Sequence, residues 1–177
     1  LFKISIYTIN MSMNKQKDNN IIDENLYSRQ LYVLGHEAMQ NMSKSNVLIS
    51  GMNGLGVEIA KNIILMGVKS VTLHDESNAL HQDLVSQYYM KQEDVNKNRA
   101  EIAKNKLAEL NMYVDVNSKT DTLNEEFIKK FDVIVLTDSN LDKQLEINQI
   151  CRKHNLKFVN TRTAGLFGQI FCDFGDE

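Results

Sequence analysis

The sequence predicts an α/β fold, a doubly wound, mainly parallel sheet with helices on both faces. Three observations predict it. Val47 to Ile49 is an apolar run of the length and kind that suits a strand covered on both faces. It leads into Gly51-Met52-Asn53-Gly54-Leu55-Gly56, a glycine-rich turn, and then into a pattern in which Leu55, Ile59, Ile63 and Met66 recur at helical spacing, with Gly67 as the stop. Strand-like and helix-like patterns then alternate to the end of the chain, the rhythm of successive βα units on one sheet.

Before the first strand, residues 1–22 read as a disordered or extended tail. Leu1 to Ile9 alternates apolar and polar residues and lacks the basic start and small-residue cleavage site of a signal peptide. Asn10 to Asn20 is polar and aperiodic. From Asp23 a helical pattern runs through Tyr27, Leu31, Leu34, Ala38 and Met42, interrupted at Gly35, with Arg29 near its outer face. Spacing alone makes Arg29 a solvated surface arginine.

Beyond the glycine turn and its helix, Ser70 to His74 reads as a second strand ending in Asp75 and Glu76. Residues 77–94 form a polar loop with a short apolar piece, Leu84 to Met90. A helix follows over Lys97 to Leu110, with Ile102, Ala103, Leu107 and Leu110 inward. Tyr113 to Val116 is the third strand, Leu123, Phe127 and Ile128 mark a short helix, and Asp132 to Thr137 is a buried strand ending in Asp138. The next helix is expected to turn Leu141, Leu145, Asn148 and Cys151 to one side. Leu156 to Val159 and Gln169 to Phe174 close the chain as strands. The stop at Asp176-Glu177 directly after a strand looks like a cut inside a larger protein, so residues 23–177 are expected to be one domain truncated before an inserted one.

With 177 residues, 42% hydrophobic and 24% charged, the chain is long and apolar enough for one real core. A net charge of −3 gives no reason to expect a nucleic-acid or anionic-membrane partner, and no apolar run approaches the ~20 residues of a membrane span. Cys151 and Cys172 form no C-x-x-C pair, which fits a reducing compartment, and both read as buried, inert thiols. The four histidines show no ligand spacing, so no metal site is expected, and no nucleophile motif such as G-x-S-x-G is present. Asparagine is abundant and proline absent, which reads as compositional bias.

The chemistry of the glycine turn depends on its spacing. In a dinucleotide-binding turn the first glycine makes the bend, the second lets phosphate approach the backbone, and the third lets helix and strand pack closely. Gly51 and Gly56 stand in the first and third places, but Asn53 stands in the second, with Gly54 one step later. A side chain at Asn53 occupies space that a phosphate needs, while asparagine's tolerance of the left-handed region keeps the turn possible. The turn fits a packing role as well as a phosphate cradle. Asp75, about 20 positions on, fits a ribose-hydroxyl acceptor or a strand-end cap equally well. Residue reasoning thus ends at a Rossmann-like domain with a compromised phosphate loop.

Several segments together resemble the non-catalytic adenylation half of ubiquitin-activating enzymes, in the ThiF/MoeB-type family. They are Leu26-Tyr27-Ser28-Arg29-Gln30-Leu31-Tyr32-Val33-Leu34-Gly35, Gly54 to Asn62, Gly67-Val68-Lys69, Thr72-Leu73-His74-Asp75, Lys97-Asn98-Arg99-Ala100-Glu101 and Gly165 to Gly175. The resemblance implies a ThiF/MoeB-type fold and a structural half that scaffolds an active half. The active half uses ATP and Mg2+ to adenylate the ubiquitin C-terminus, and a cysteine then forms a thioester that is passed to conjugating enzymes. It implies no catalytic residue in this chain, no tight nucleotide binding by it, and a cytoplasmic and nuclear location. Carried across, the family's nucleotide site falls on Gly51, Asn53, Gly54, Gly56, Asp75, Arg99 and Asp138, with Ser77 for its second aspartate and Ser86-Gln87 for its Arg-Gln pair. Its site is therefore degenerate here, and lysine and arginine are not equivalent at Arg99. Arg29 matches the family arginine that reaches in trans into the nucleotide site of the other half. A regulatory subunit for another ubiquitin-like modifier such as SUMO, or an NAD-dependent Rossmann domain, is the alternative reading.

Overall fold

The computed structural model describes residues 22–175, so all but the last residue of the expected tail lies outside the described residues. The chain divides into two compact units at Lys44–Ser45. In the first, Asp23 organises the approach to a helix: its carboxylate accepts the N–H groups of Asn25 and Leu26, and its carbonyl that of Tyr27. The helix, α1, spans Ser28–Met42 and is broken at Gly35, whose φ of 80° and ψ of 167° no helical residue adopts. The expected interruption is therefore a true kink, at the residue type that takes such a conformation without a steric penalty.

The second unit holds one six-stranded sheet, β1 Asn46–Ser50, β2 Ser70–His74, β3 Asp115–Lys119, β4 Val133–Thr137, β5 Lys157–Ala164 and β6 Phe167–Asp173, in the order β3-β2-β1-β4-β5-β6. Strands β1 to β5 pair in parallel, and β6 returns antiparallel along β5. Four helices accompany the strands: α2 Gly54–Met66, α3 Arg99–Ala108, α4 Glu125–Ile128 and α5 Leu141–Lys153. Alternate strand residues feed two cores, as a sheet covered on both faces requires. Val47, Ile49, Val71, Leu73 and Val135 pack with α2 and α3 through Val57, Ala60, Ile64, Ala103 and Leu107. Leu48, Ile134, Leu136 and Phe158 pack with α4 and α5 through Ile128, Ile147 and Cys151. This is the doubly wound arrangement that the strand–helix rhythm predicts.

Several elements differ from the expectation. In α2, Val57, Ala60 and Ile64 are buried opposite the exposed Glu58 and Asn62, while Leu55, Ile59, Ile63 and Met66 are half-buried. In α3, Ala100, Ala103 and Leu107 are buried and Ile102 only half-buried. In α5, Ile147 and Cys151 point into the core while Leu141 and Leu145 are 65% and 53% exposed. Strand β3 begins at Asp115, not Tyr113, because Asn111 holds the preceding residues in a turn. Its amide donates to the Ile64 carbonyl at 2.9 Å and accepts the Tyr113 N–H at 3.1 Å. Cys151 is buried as expected, but Cys172 is exposed: it lies on β6, which pairs with β5 alone and has one side uncovered.

Candidate functional site

In a sheet of this order the chain leaves β1 toward one face and β4 toward the other, and the gap between their carboxyl ends is where such folds bind ligands. Gly51, which follows β1, has φ of 101°, so the left-handed conformation falls there and not on Asn53, whose φ of −74° and ψ of −171° are extended. Any side chain at Gly51 would strike Thr137, whose hydroxyl lies 2.8 Å from the Gly51 carbonyl and 3.2 Å from that of Ser50. Gly56 lies hard against the Gly51 carbonyl, the close helix–strand approach assigned to the third glycine. Gly54 is roofed by Ser86, whose carbonyl oxygen would stand 2.8 Å from a Cβ there.

Asn53 is the N-cap of α2. Its side-chain oxygen accepts the Gly56 N–H at 3.0 Å, and its amide donates across the gap to Asp138 at 2.5 Å. The other Asp138 oxygen accepts the Thr163 N–H at 3.0 Å. Asp75 is buried beneath the turn, where it accepts the N–H groups of Met52 and Ser77, each at 2.8 Å. Arg99 lies 3.6 Å from Asp75, and its Nε donates to Asp83 at 3.0 Å. The structure thus gathers Gly51, Asn53, Gly54, Gly56 and Asp138 at one gap and sets Asp75 and Arg99 beside it. Arg29 lies in the other unit, exposed on α1.

Three participants escape sequence reasoning. Asp83, which receives Arg99, sits in a short 3-10 turn, His81–Val85, inside a stretch read only as loop. Thr137 and Thr163 act through a hydroxyl and a backbone N–H, for which residue type gives no signal. On the opposite face Lys143 of α5 lies 3.4 Å from Glu76, which also accepts the Thr122 hydroxyl at 3.2 Å. Among the described residues no group of three His, Cys, Asp or Glu is placed to hold a metal ion, and no helix is long and apolar enough to cross a membrane.

Residues 27–173 match the ThiF family. The chain belongs to the ThiF family. This member is 54% identical over 173 residues to the ubiquitin-like modifier-activating enzyme 1 of Homo sapiens, a match covering 98% of this chain and 16% of that protein. It is 54% identical over 167 residues to the ubiquitin-activating enzyme E1 1 of Schizosaccharomyces pombe, covering 94% of this chain and 16% of that one. With the ubiquitin-like modifier-activating enzyme 7 of Homo sapiens it shares 45% identity over 159 residues, again against 16% of the relative. The chain therefore matches a fragment of a ubiquitin-activating enzyme and spans 16% of the length of these relatives. The crystal structure of E. coli MccB with MccA-N7isoASN superposes with a TM-score of 0.75 at 21% identity, covering 90% of this chain and 50% of that one. That likeness bears out the Rossmann-like fold of this ThiF-family chain.

ATP and Mg2+ are implied for the full-length enzymes, and at this gap the polar side chains pair with one another. Of the backbone donors that the N-terminus of α2 offers a phosphate, that of Gly56 is taken by Asn53. The Asp138 carboxylate is occupied by Asn53 and Thr163, and the Arg99 cation is matched to Asp83 and Asp75.

Proposed function

We propose that this chain is the non-catalytic adenylation half of a ubiquitin-activating enzyme. It scaffolds the active half, which adenylates the ubiquitin C-terminus and forms the thioester handed to conjugating enzymes. The observation that carries the reading is the Asn53 side chain, which fills the second-glycine place and ties the turn to Asp138. A half built this way supports chemistry carried out next door. The names of the activating-enzyme relatives, 45–54% identical, support ubiquitin or a ubiquitin-like modifier as the substrate. Arg29, exposed on α1, is the residue this half lends: a guanidinium brought from a neighbour offsets charge developing on a phosphate. On this reading the protein works in the cytoplasm and nucleus.

Calorimetric titration of the chain with ATP and Mg2+, and with NAD, tests the first part. No saturable heat is expected for either; tight ATP binding would refute the non-catalytic role, and tight NAD binding would point to an oxidoreductase. For the second part, ATP–pyrophosphate exchange is measured in an enzyme containing both halves. Arg29→Ala should depress exchange while circular dichroism stays unchanged, and unchanged exchange would remove Arg29 from the mechanism.

A further inference from the structure

The bridge between Asn53 and Asp138 spans the ends of β1 and β4, and each of its members holds something else. Asn53 holds the first turn of α2 through Gly56. Asp138 holds Thr163, and its own N–H donates to the Thr161 carbonyl at 2.9 Å. Asp138 also has φ of 48°, a left-handed conformation that aspartate tolerates better than most side chains. The position of Thr163 gives that bond its weight. Strand β4 supports β5 only as far as Thr137 opposite Thr161, whereas β5 and β6 stay paired out to Ala164 and Phe167. Beyond Thr161 the hairpin is a two-stranded ribbon, and such ribbons are marginal by themselves. The Asp138–Thr163 bond tethers that ribbon to the body of the sheet.

We propose that Asn53 and Asp138 form a latch coupling the glycine turn to the β5–β6 ribbon, so that two side chains order the gap that a ligand orders in nucleotide-binding relatives of the fold. The idea deepens the non-catalytic reading and rests on it. The latch has a direction of action in both senses. Displacing the ribbon withdraws Asp138 from Asn53 and loosens the turn, and releasing Asn53 lets Asp138 move and frees the ribbon.

Amide hydrogen exchange on the 177-residue chain, resolved by NMR, tests it with Asn53→Ser. Serine still caps a helix but is too short to reach across the gap, so it separates the latch from the cap. The Gly56 amide should exchange within about twofold of wild type, and the Thr163 amide about five- to tenfold faster, the opening that loss of one hydrogen bond allows. Thr163 exchange equal to wild type in this variant would overturn the latch. Asp138→Asn is the second arm: Asn53 and Thr163 donate to different Asp138 oxygens, and in asparagine one of those two positions is an NH2 that cannot accept, so Thr163 or the Asn53 side-chain amide should lose protection. Retention of both protections in this variant would likewise overturn the latch. Protection of the wild-type Gly56 amide by added ATP and Mg2+ would refute the non-catalytic reading, and with it the claim that the latch replaces a ligand. The Asn53→Ser comparison decides the coupling separately.

Discussion

The Nδ1 atom of His74 lies 2.8 Å from the Ser50 hydroxyl, on paired residues of β2 and β1. Nε2 is 3.1 Å from the Asp121 carbonyl, which can only accept, so Nε2 carries the proton and Nδ1 accepts from Ser50. Burial pushes the His74 pKa below its ordinary 6.5 and Lys143 pushes the same way, against the Asp121 carbonyl, Glu76 and Asp75. The folded state therefore takes up this proton less readily than the unfolded chain. Its effect on stability is nil well above pH 6.5, appears as pH falls through 6.5, and levels off below the lowered folded value. Urea unfolding midpoints between pH 8 and about pH 5 should thus fall more steeply in wild type than in His74→Gln; parallel curves would show that His74 titrates normally.

Gly56→Ala should be among the most damaging single-methyl changes in the sheet unit. The added Cβ would overlap the Gly51 carbonyl, a backbone atom that cannot rotate away. Overpacking of this kind costs about 3 kcal/mol, which lowers the melting temperature of a chain this size by roughly 6–12 °C. Gly165→Ala is the comparison, since nothing lies within 4 Å of a Cβ there and only its φ of 61° opposes the change. Calorimetric melting of both variants checks the ranking, and an equal loss would mean that the turn relaxes around the added methyl group.

The two thiols should differ sharply in reactivity. Burial pushes the Cys151 pKa up to about 12, so almost no thiolate exists there at neutral pH, and the side chain is inaccessible. Cys172 is exposed on β6. Ellman's reagent should modify one thiol in the native chain and two in guanidinium chloride. Rapid native modification of both would contradict the burial of Cys151.

The strand–turn–helix unit was legible because Gly51 and Gly56 each meet a backbone constraint that only glycine satisfies. The two-faced sheet was legible from apolar runs such as Val133 to Leu136, whose alternate members feed opposite cores. The buried line of α2 was less legible, since Ile59 and Ile63 are as apolar as Val57 and Ile64, yet only the latter two are fully buried. The asparagine bias also hid a structural use. All four helices described in the sheet unit are N-capped by asparagine, namely Asn53, Asn98, Asn124 and Asn140. An asparagine before a helix is a readable cap signal, but its second bond is not: what Asn53 reaches across the gap depends on β4, 85 residues away. The partners of Arg99 were hidden for the same reason, because Asp83 lies in a loop whose path no periodicity sets.

Loss of Asp83 from its pair with Arg99 should destabilise the fold. Asp83 also accepts the Leu80 N–H at 2.8 Å, and both side chains are largely shielded from water. Asp83→Ala removes a partner from a cation and an acceptor from a turn at once, leaving Arg99 with Asp75 at 3.6 Å. The cost should fall between that of an exposed pair and a fully buried one, about 1–3 kcal/mol. Asp83→Asn keeps the acceptor for Leu80 while removing the charge, so it should cost less than Asp83→Ala. A double-mutant cycle with Arg99→Met isolates the ion pair itself, because Asp83→Ala should do less harm once the guanidinium is gone. Urea unfolding of the four chains measures that coupling, and additive losses would show that Arg99 gains nothing from Asp83.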